Sequence, residues 1–166
     1  MSYTAAGVSY THFQHPLIGR LGRARHAVVM GNECKSALPL RVYLVEDSDV
    51  IREHLTHMIK SVPGLDVVGG ADHVAAAIAG IESLRPDAVI VDIQIGNGSG
   101  LDVLSQVRER VPGLRSIVLT NFASSQHRKR AREVGSDYFL DKSNEFKRIT
   151  PILEEWRSDK SNAFPG

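Results

Sequence analysis

Five polar residues of this sequence have the types and the order that phosphoryl chemistry needs. They are Glu46, Asp47, Asp92, Thr120 and Lys142. Three carboxylates brought together repel one another unless a cation lies among them, and carboxylate oxygens with room for water suit Mg²⁺. An aspartate at such a site can attack phosphorus while the lysine and the hydroxyl bind the phosphoryl oxygens. These residues therefore predict a magnesium-dependent phosphoryl site, provided that the fold gathers them.

The elements that precede these residues indicate how the fold could gather them. Short runs that are apolar at every position suit strands that are buried on both faces of a parallel sheet. Four such runs and a weaker fifth one are Val42–Val45, Ala88–Val91, Ile117–Leu119, Tyr138–Leu140 and Asp66–Gly69. Each of the first four runs ends one or two residues before one of the five polar residues. Because ligands bind beyond the carboxyl ends of parallel strands, we expect the polar residues to meet there.

Helical patterns separate the strands. Apolar positions spaced three and four residues apart, with polar caps and glycine or proline stops, predict five helices. They comprise residues 49–62, 73–84, 101–107, 124–134 and 146–156. Pro151 falls inside the last one, so we expect a kink or a restart there with Thr150 as the cap. The alternation predicts an α/β fold of the (βα)5 type, with a doubly wound parallel sheet.

Four motifs in this order resemble the receiver domain of two-component response regulators. They are Val42–Asp47 (VYLVED), Val89–Asp92 (VIVD) followed by Gly100, Ile117–Thr120 (IVLT), and Gly135–Lys142 (GSDYFLDK). Each motif alone is weak, whereas the ordered set is specific. The resemblance extends from about Leu40 to Trp156, and it implies a flavodoxin-like sheet of five strands with the order 2-1-3-4-5.

The resemblance also implies a role for each acidic residue. Asp92 corresponds to the phosphoacceptor of the family. Glu46 and Asp47 correspond to the acidic pair that binds Mg²⁺, together with Asp92 and the main-chain carbonyl of Gln94. We therefore expect Mg²⁺ as the cofactor.

The remaining matches concern the response to phosphorylation. Thr120 corresponds to the switch hydroxyl, Lys142 to the phosphate-binding lysine and Phe139 to the switch aromatic. In the mechanism that the resemblance implies, Thr120 moves toward the phosphoryl group and Phe139 fills the space that it leaves.

Loop residues depart from the family pattern at three positions, one of which is Asn121, where the family usually has a small residue after the switch hydroxyl. Gly96 occupies a position that is often proline, so we expect a more mobile loop after Asp92. Ser143 follows Lys142, where the family usually has a proline after a cis peptide bond. In this chain, either the bond between Lys142 and Ser143 is a strained cis peptide bond or the loop is rebuilt.

The function implied by the resemblance is a phosphorylation-activated switch that catalyses only its own phosphorylation and dephosphorylation. A histidine kinase or histidine phosphotransfer protein would supply the phosphoryl group. The fourth helix, fifth strand and fifth helix would signal to a downstream protein. One alternative is an interaction module of the same fold that is never phosphorylated. Another, disfavoured, is a phosphohydrolase of the haloacid-dehalogenase type, because Gln94 stands where that family needs a second acid.

Composition limits the other possibilities. The 166 residues are 42% hydrophobic and 23% charged, which suits one ordinary domain. A single cysteine excludes an internal disulfide, and no apolar stretch is long enough for a membrane span. The formal charge of +1 gives no reason to expect direct DNA binding. The basic run at residues 127–132 is interpreted as a solvated helix face. A docking patch for an acidic partner is the first alternative, and a nucleic-acid patch ranks third because little aromatic interleaving accompanies the run.

The chain is expected to divide into three segments. Residues 1–38 would be a disordered N-terminal extension, residues 39–158 the receiver domain and residues 159–166 a C-terminal tail. Because few residues follow Lys142, we expect a stand-alone cytoplasmic regulator that acts on partners in trans and has no output domain.

Overall fold

Five parallel strands form the central sheet of the computed structural model, which describes residues 38–163. They are β1 (Leu40–Val45), β2 (Leu65–Ala71), β3 (Ala88–Val91), β4 (Arg115–Thr120) and β5 (Tyr138–Asp141). Their order across the sheet is β2-β1-β3-β4-β5, which confirms the predicted α/β fold class and the order 2-1-3-4-5. A separate antiparallel hairpin pairs Gln94–Ile95 with Gly98–Ser99.

Helices cover both faces of the sheet. They are α1 (Asp49–Lys60), α2 (Val74–Leu84), α3 (Gly100–Val107), α4 (Ser125–Glu133) and α5 (Ile149–Ala163). The helices α1 and α5 pack on one face, where Leu55 and Trp156 join a cluster with Leu44 of β1. The other face carries α2, α3 and α4, whose buried residues include Ile81 and Leu104. The three inner strands β1, β3 and β4 are therefore almost entirely buried, as continuous apolar runs require. The edge strands β2 and β5 are only partly buried, because each has a neighbouring strand on one side alone.

The start of α5 shows how the chain accommodates Pro151. A 3₁₀ turn at Phe146–Arg148 leads into α5, which begins at Ile149. The helix thus restarts, as expected, but one residue before Thr150, so Thr150 is a helical residue and not the cap. Pro151 then lies in the first turn, where a missing backbone N–H costs no helical hydrogen bond.

The sequence predicts domain boundaries after residue 38 and after residue 158. The predicted N-terminal extension lies outside the described residues, apart from Leu38. At the other end, α5 continues to Ala163 and so extends past residue 158, where the sequence places the end of the domain. Among residues 38–163, no helix combines the length and the apolar character that crossing a membrane would need.

The helix α4 is held to the sheet by little apolar surface. Within its sequence SQHRKRARE, Ala131 is the one residue that is buried. Few buried apolar contacts predict a low local free energy of opening. The position of α4 therefore depends strongly on the polar contacts that its side chains make with neighbouring elements.

Candidate functional site

The register of the sheet places the ends of β1 and β3 side by side. Val45 pairs with Val91, so that Glu46 and Asp92 leave adjacent strands at the same level. The amide of Asp92 still donates to the carbonyl of Val45 at 2.9 Å. Both acidic residues are almost completely buried, with 2% of Glu46 and 8% of Asp92 exposed. The backbone thus fixes both carboxylates before any side-chain contact is considered.

The three predicted metal ligands meet at this edge of the sheet. Glu46, Asp47 and Asp92 each offer a carboxylate oxygen, and these oxygens all lie within 4.8 Å of one another. Asp47 is the exposed member of the group, which leaves one side of the cluster open to water. Three hard oxygen donors beside solvent match the preference of Mg²⁺, which binds through one or two carboxylates and retains several waters.

Lys142 supplies the positive charge of the site. Its Nζ donates to Glu46 Oε2 and to Asp92 Oδ2, each at 2.7 Å. The amide of Lys142 donates to the carbonyl of Thr120 at 3.0 Å, so the pairing of β5 with β4 continues into the site. The structure therefore brings Lys142, Glu46 and Asp92 into direct contact, although they are widely separated in the sequence.

Burial and charge act on the two ends of this ion pair in opposite ways. Burial raises the pKa of Glu46, and the hydrogen bond and charge of Lys142 offset this only in part. Burial of the ammonium group tends to lower the pKa of Lys142. The hydrogen bonds and charges of Asp92 and Glu46 outweigh that effect, so the pKa of Lys142 is raised. The lysine is thereby held in its charged form at the site.

The loop after Asp92 is tied to the acidic cluster. The amide of Gln94 donates to Asp92 Oδ1 at 3.4 Å, and the amide of Gly96 donates to Asp47 Oδ2 at 3.2 Å. Gly96 has a φ of 51°, a conformation that glycine adopts without steric cost. The glycine that distinguishes this loop therefore lets a backbone amide reach a carboxylate of the cluster.

Gly100 allows α3 to begin directly against the backbone of Asp92. A Cβ added at Gly100 would lie 1.9 Å from the carbonyl oxygen of Asp92 and 2.4 Å from Cγ2 of Val91. The amide of Gly100 also donates to the carbonyl of Ile93 at 2.9 Å. The absence of a side chain at Gly100 thus determines where Asp92 sits.

A Gly100→Ala substitution is expected to lower both stability and phosphoryl uptake. The added methyl group must displace backbone, and overpacking of this kind costs about 1–3 kcal/mol of unfolding free energy. Urea denaturation and a phosphoryl-uptake assay would measure the two effects. Gly113→Ala controls for a loss of stability far from the site: its φ of 82° strains an alanine, while the Cβ meets nothing within 4 Å and the turn precedes β4, at the opposite edge. This control should lose stability but keep its phosphoryl uptake. Equal losses of uptake in both variants would contradict this role of Gly100.

Thr120 and its neighbours form a second hydrogen-bonded group. Thr120 is fully buried, and its hydroxyl oxygen accepts from the amide of Phe122 at 3.1 Å. His127 Nδ1 lies 2.6 Å from the carbonyl oxygen of Phe122 and must donate, since a carbonyl carries no proton. Thr120 therefore lies on the strand beside β3, as predicted, with its hydroxyl engaged by the loop that leads to α4.

Phe139 is half-buried in β5 and is covered by a residue that the sequence analysis did not single out. The guanidinium carbon of Arg128, on α4, lies 4.6 Å from the centroid of the Phe139 ring. Arg128 also lies 3.9 Å from a carboxylate oxygen of Glu145. The positions of Arg128 and Glu145 in the sequence do not indicate this contact, because it depends on how α4 packs on β5.

The basic run on α4 is largely neutralised by nearby acids. Arg130 pairs with Asp102 at 2.5 Å, and Lys129 lies 3.8 Å from Glu133. With the contact between Arg128 and Glu145, three of its cations have acidic neighbours. These contacts favour the interpretation as a solvated, ion-paired helix face.

The loop after Lys142 is rebuilt around two acidic side chains. The peptide bond between Lys142 and Ser143 is trans. Asp141 Oδ1 accepts from the amide of Ser143 at 2.8 Å, and Glu145 Oε2 accepts from the amide of Asp141 at 3.1 Å. Of the two outcomes that the sequence left open, strain or rebuilding, the structure has the second.

Comparisons with known proteins agree with this geometry. The model of the family described as the response regulator receiver domain matches residues 42–154. The DNA-binding transcriptional activator DevR/DosR of Mycobacterium tuberculosis (strain ATCC 25618 / H37Rv) is 36% identical over 87 residues, or 52% of this chain and 40% of that protein. The transcriptional regulatory protein PdtaR of Mycobacterium tuberculosis (strain CDC 1551 / Oshkosh) is 30% identical over 123 residues, or 74% of this chain and 58% of that protein.

Among solved structures, the response regulator domain of Thermotoga maritima CheB is similar to this chain. It aligns with a TM-score of 0.64 and 26% identity over 76% of this chain and 99% of that chain. The present chain spans less than two thirds of the length of either curated relative named above. The likeness therefore concerns the receiver region of those proteins.

Proposed function

Because the chain belongs to the response regulator receiver domain family, we propose that it is a cytoplasmic switch activated by phosphorylation of Asp92. The donor would be the phosphohistidine of a histidine kinase or of a histidine phosphotransfer protein. The contact of Lys142 Nζ with both Glu46 and Asp92, at 2.7 Å each, is the observation that carries the proposal. It places a cation against the oxygen that would attack and against one of the acids proposed to bind the metal.

Residues of this chain would supply the nucleophile and the positive charge for transfer of the phosphoryl group. A carboxylate oxygen of Asp92 forms a bond to phosphorus as the bond from phosphorus to the donor nitrogen breaks, and the electron pair stays on the imidazole of the donor. Lys142 then neutralises a phosphoryl oxygen. Mg²⁺, held by Glu46, Asp47, Asp92 and the carbonyl of Gln94, would neutralise further negative charge on the transferred group.

The consequence of transfer would be a shift between two conformations. The hydroxyl of Thr120 would leave the amide of Phe122 and donate to a phosphoryl oxygen. Phe139 would then occupy the space that Thr120 vacates. Such a shift changes the surface formed by α4, β5 and α5, through which we propose that the protein signals to a downstream protein, without direct DNA binding.

Chemical trapping tests the assignment of Asp92. The full chain is incubated with Mg²⁺ and acetyl phosphate, and borohydride then reduces any aspartyl phosphate to homoserine, which peptide mass spectrometry locates. We expect one phosphoryl group per chain, no uptake after chelation of Mg²⁺, and homoserine at position 92. Homoserine at another position would overturn the assignment, and a chain that stays unlabelled would favour the interaction module that is never phosphorylated.

A further inference from the structure

Arg128 makes three contacts that link α4 to β5 and to the loop that follows it. Its guanidinium carbon lies 4.6 Å from the centroid of the Phe139 ring, and Nη1 donates to the carbonyl of Phe139 at 3.4 Å. Its Nη2 lies 3.9 Å from Oε2 of Glu145. A single side chain therefore contacts both the ring and the backbone of the residue proposed to move on phosphorylation.

Glu145 holds the other end of this contact in place. The same oxygen, Oε2, accepts from the amide of Asp141 at 3.1 Å, while Oε1 pairs with Arg148. These contacts, above all the hydrogen bond from the backbone of Asp141, lower the pKa of Glu145 and favour its charged form. Glu145 thus offers Arg128 a fixed negative charge on the loop that also carries Lys142.

The contact matters because α4 has few apolar attachments to the sheet and because Arg128 alone among the ion-paired cations of α4 described above contacts β5. Since Ala131 is the one buried residue within α4, polar contacts account for much of what fixes this helix against β5. An arginine over an aromatic ring contributes a modest attraction, which is lost if the ring moves away from the guanidinium. Any movement of Phe139 toward the space of Thr120 would therefore have to overcome this attraction.

We propose that Arg128, itself held by Glu145, is a positioning residue that keeps Phe139 in its half-buried place and so favours the unphosphorylated conformation. This inference rests on the proposed function, because it concerns the balance between the two conformations of the same switch. A ligand that selects the phosphorylated conformation must work against every contact that stabilises the other one. Removing Arg128 should therefore tighten the binding of such a ligand.

Beryllofluoride, which imitates a phosphoryl group on an aspartate, provides the test. The full chain is titrated with beryllofluoride in Mg²⁺, and binding is followed by NMR of the amides of Thr120 and Phe122. Arg128→Ala is expected to tighten binding about two- to fivefold, the value of one exposed contact between a cation and an aromatic ring. Arg128→Lys keeps the charge but loses the planar group, so its affinity for beryllofluoride should lie between that of Arg128→Ala and that of the unchanged chain.

A second readout separates this role from general destabilisation. Without ligand, the Thr120 and Phe122 signals of Arg128→Ala should already be displaced along the line toward their positions in the bound chain. Arg130→Ala is the matched control, because Arg130 lies on the same helix but pairs with Asp102, and it should change neither readout. Glu145→Gln keeps an oxygen for the amide of Asp141 and loses the charge, so it should tighten binding by less than Arg128→Ala.

The outcomes distinguish this inference from the proposed function. If the unchanged chain binds beryllofluoride and Arg128→Ala binds it equally or more weakly, the positioning role is wrong and the switch assignment stands. If Arg130→Ala tightens binding as much, the effect belongs to the charge of α4 and the role of Arg128 is again wrong. If the unchanged chain binds no beryllofluoride in Mg²⁺, the proposed function falls and this inference falls with it.

Discussion

An Asp92→Asn variant is expected to take up no phosphoryl group from acetyl phosphate in Mg²⁺. The carboxamide carries no negative charge and is a poor nucleophile, so the bond to phosphorus cannot form at this position. The substitution should leave the fold intact, because the amide oxygen of asparagine can still accept the hydrogen bond that Lys142 donates to Asp92 at 2.7 Å. Intact-protein mass spectrometry of the variant and the unchanged chain, treated side by side, measures the loss directly.

Asp102→Asn is the matched control for this experiment. Asp102 lies on α3, pairs with Arg130 on the surface and has no contact with the acidic cluster, so the control should be phosphorylated like the unchanged chain. Full uptake by Asp92→Asn would show that another carboxylate attacks phosphorus. Glu46 and Asp47 would then be the residues to examine, because their oxygens lie in the same cluster.

The fold could be predicted because four of its five strands contain a run that is apolar at every position. Runs such as those ending at Val45 and Val91 fit a strand covered by helices on both faces, and the helical patterns between them require parallel pairing. Once the strands are parallel, their carboxyl ends share one edge of the sheet. The gathering of Glu46, Asp92 and Lys142 follows from that topology, and their contacts confirm that these three residues meet.

The contacts around the fourth helix could not be predicted in the same way. Its residues are nearly all polar, so no apolar stripe indicates which face lies on β5. The stacking of Arg128 on Phe139 and the contact with Glu145 depend on the rotation of this helix, which is a tertiary property. Ser143 likewise showed that the loop departs from the family pattern, whereas the hydrogen bonds of Asp141 and Glu145 that rebuild it became visible only in the structure.

A Lys142→Met variant is expected to lose about 3 kcal/mol of unfolding free energy in the absence of Mg²⁺. Its side chain is 6% exposed and pairs with two carboxylates that are 3% and 10% exposed, so methionine would leave two buried acids without a cation. Breaking a buried pair in this way costs about 3–5 kcal/mol. We expect the lower end of that range, because the raised pKa of Glu46 lets this residue take up a proton and relieve the repulsion. Urea denaturation followed by the fluorescence of Trp156, the single tryptophan, measures the change.

Lys160→Met controls for the loss of an ordinary lysine ion pair. Lys160 donates to Asp87 at 2.7 Å, but both side chains are about one quarter exposed, and Asp87 keeps the backbone amide of Arg41 as a partner. This variant should therefore lose at most about 1 kcal/mol of unfolding free energy.

Mg²⁺ should stabilise Lys142→Met more than the unchanged chain, because a divalent ion among the carboxylates replaces the missing charge. Similar losses in the two variants, or no added stabilisation of Lys142→Met by Mg²⁺, would mean that the acids of this edge do not share a cation as the proposed function requires.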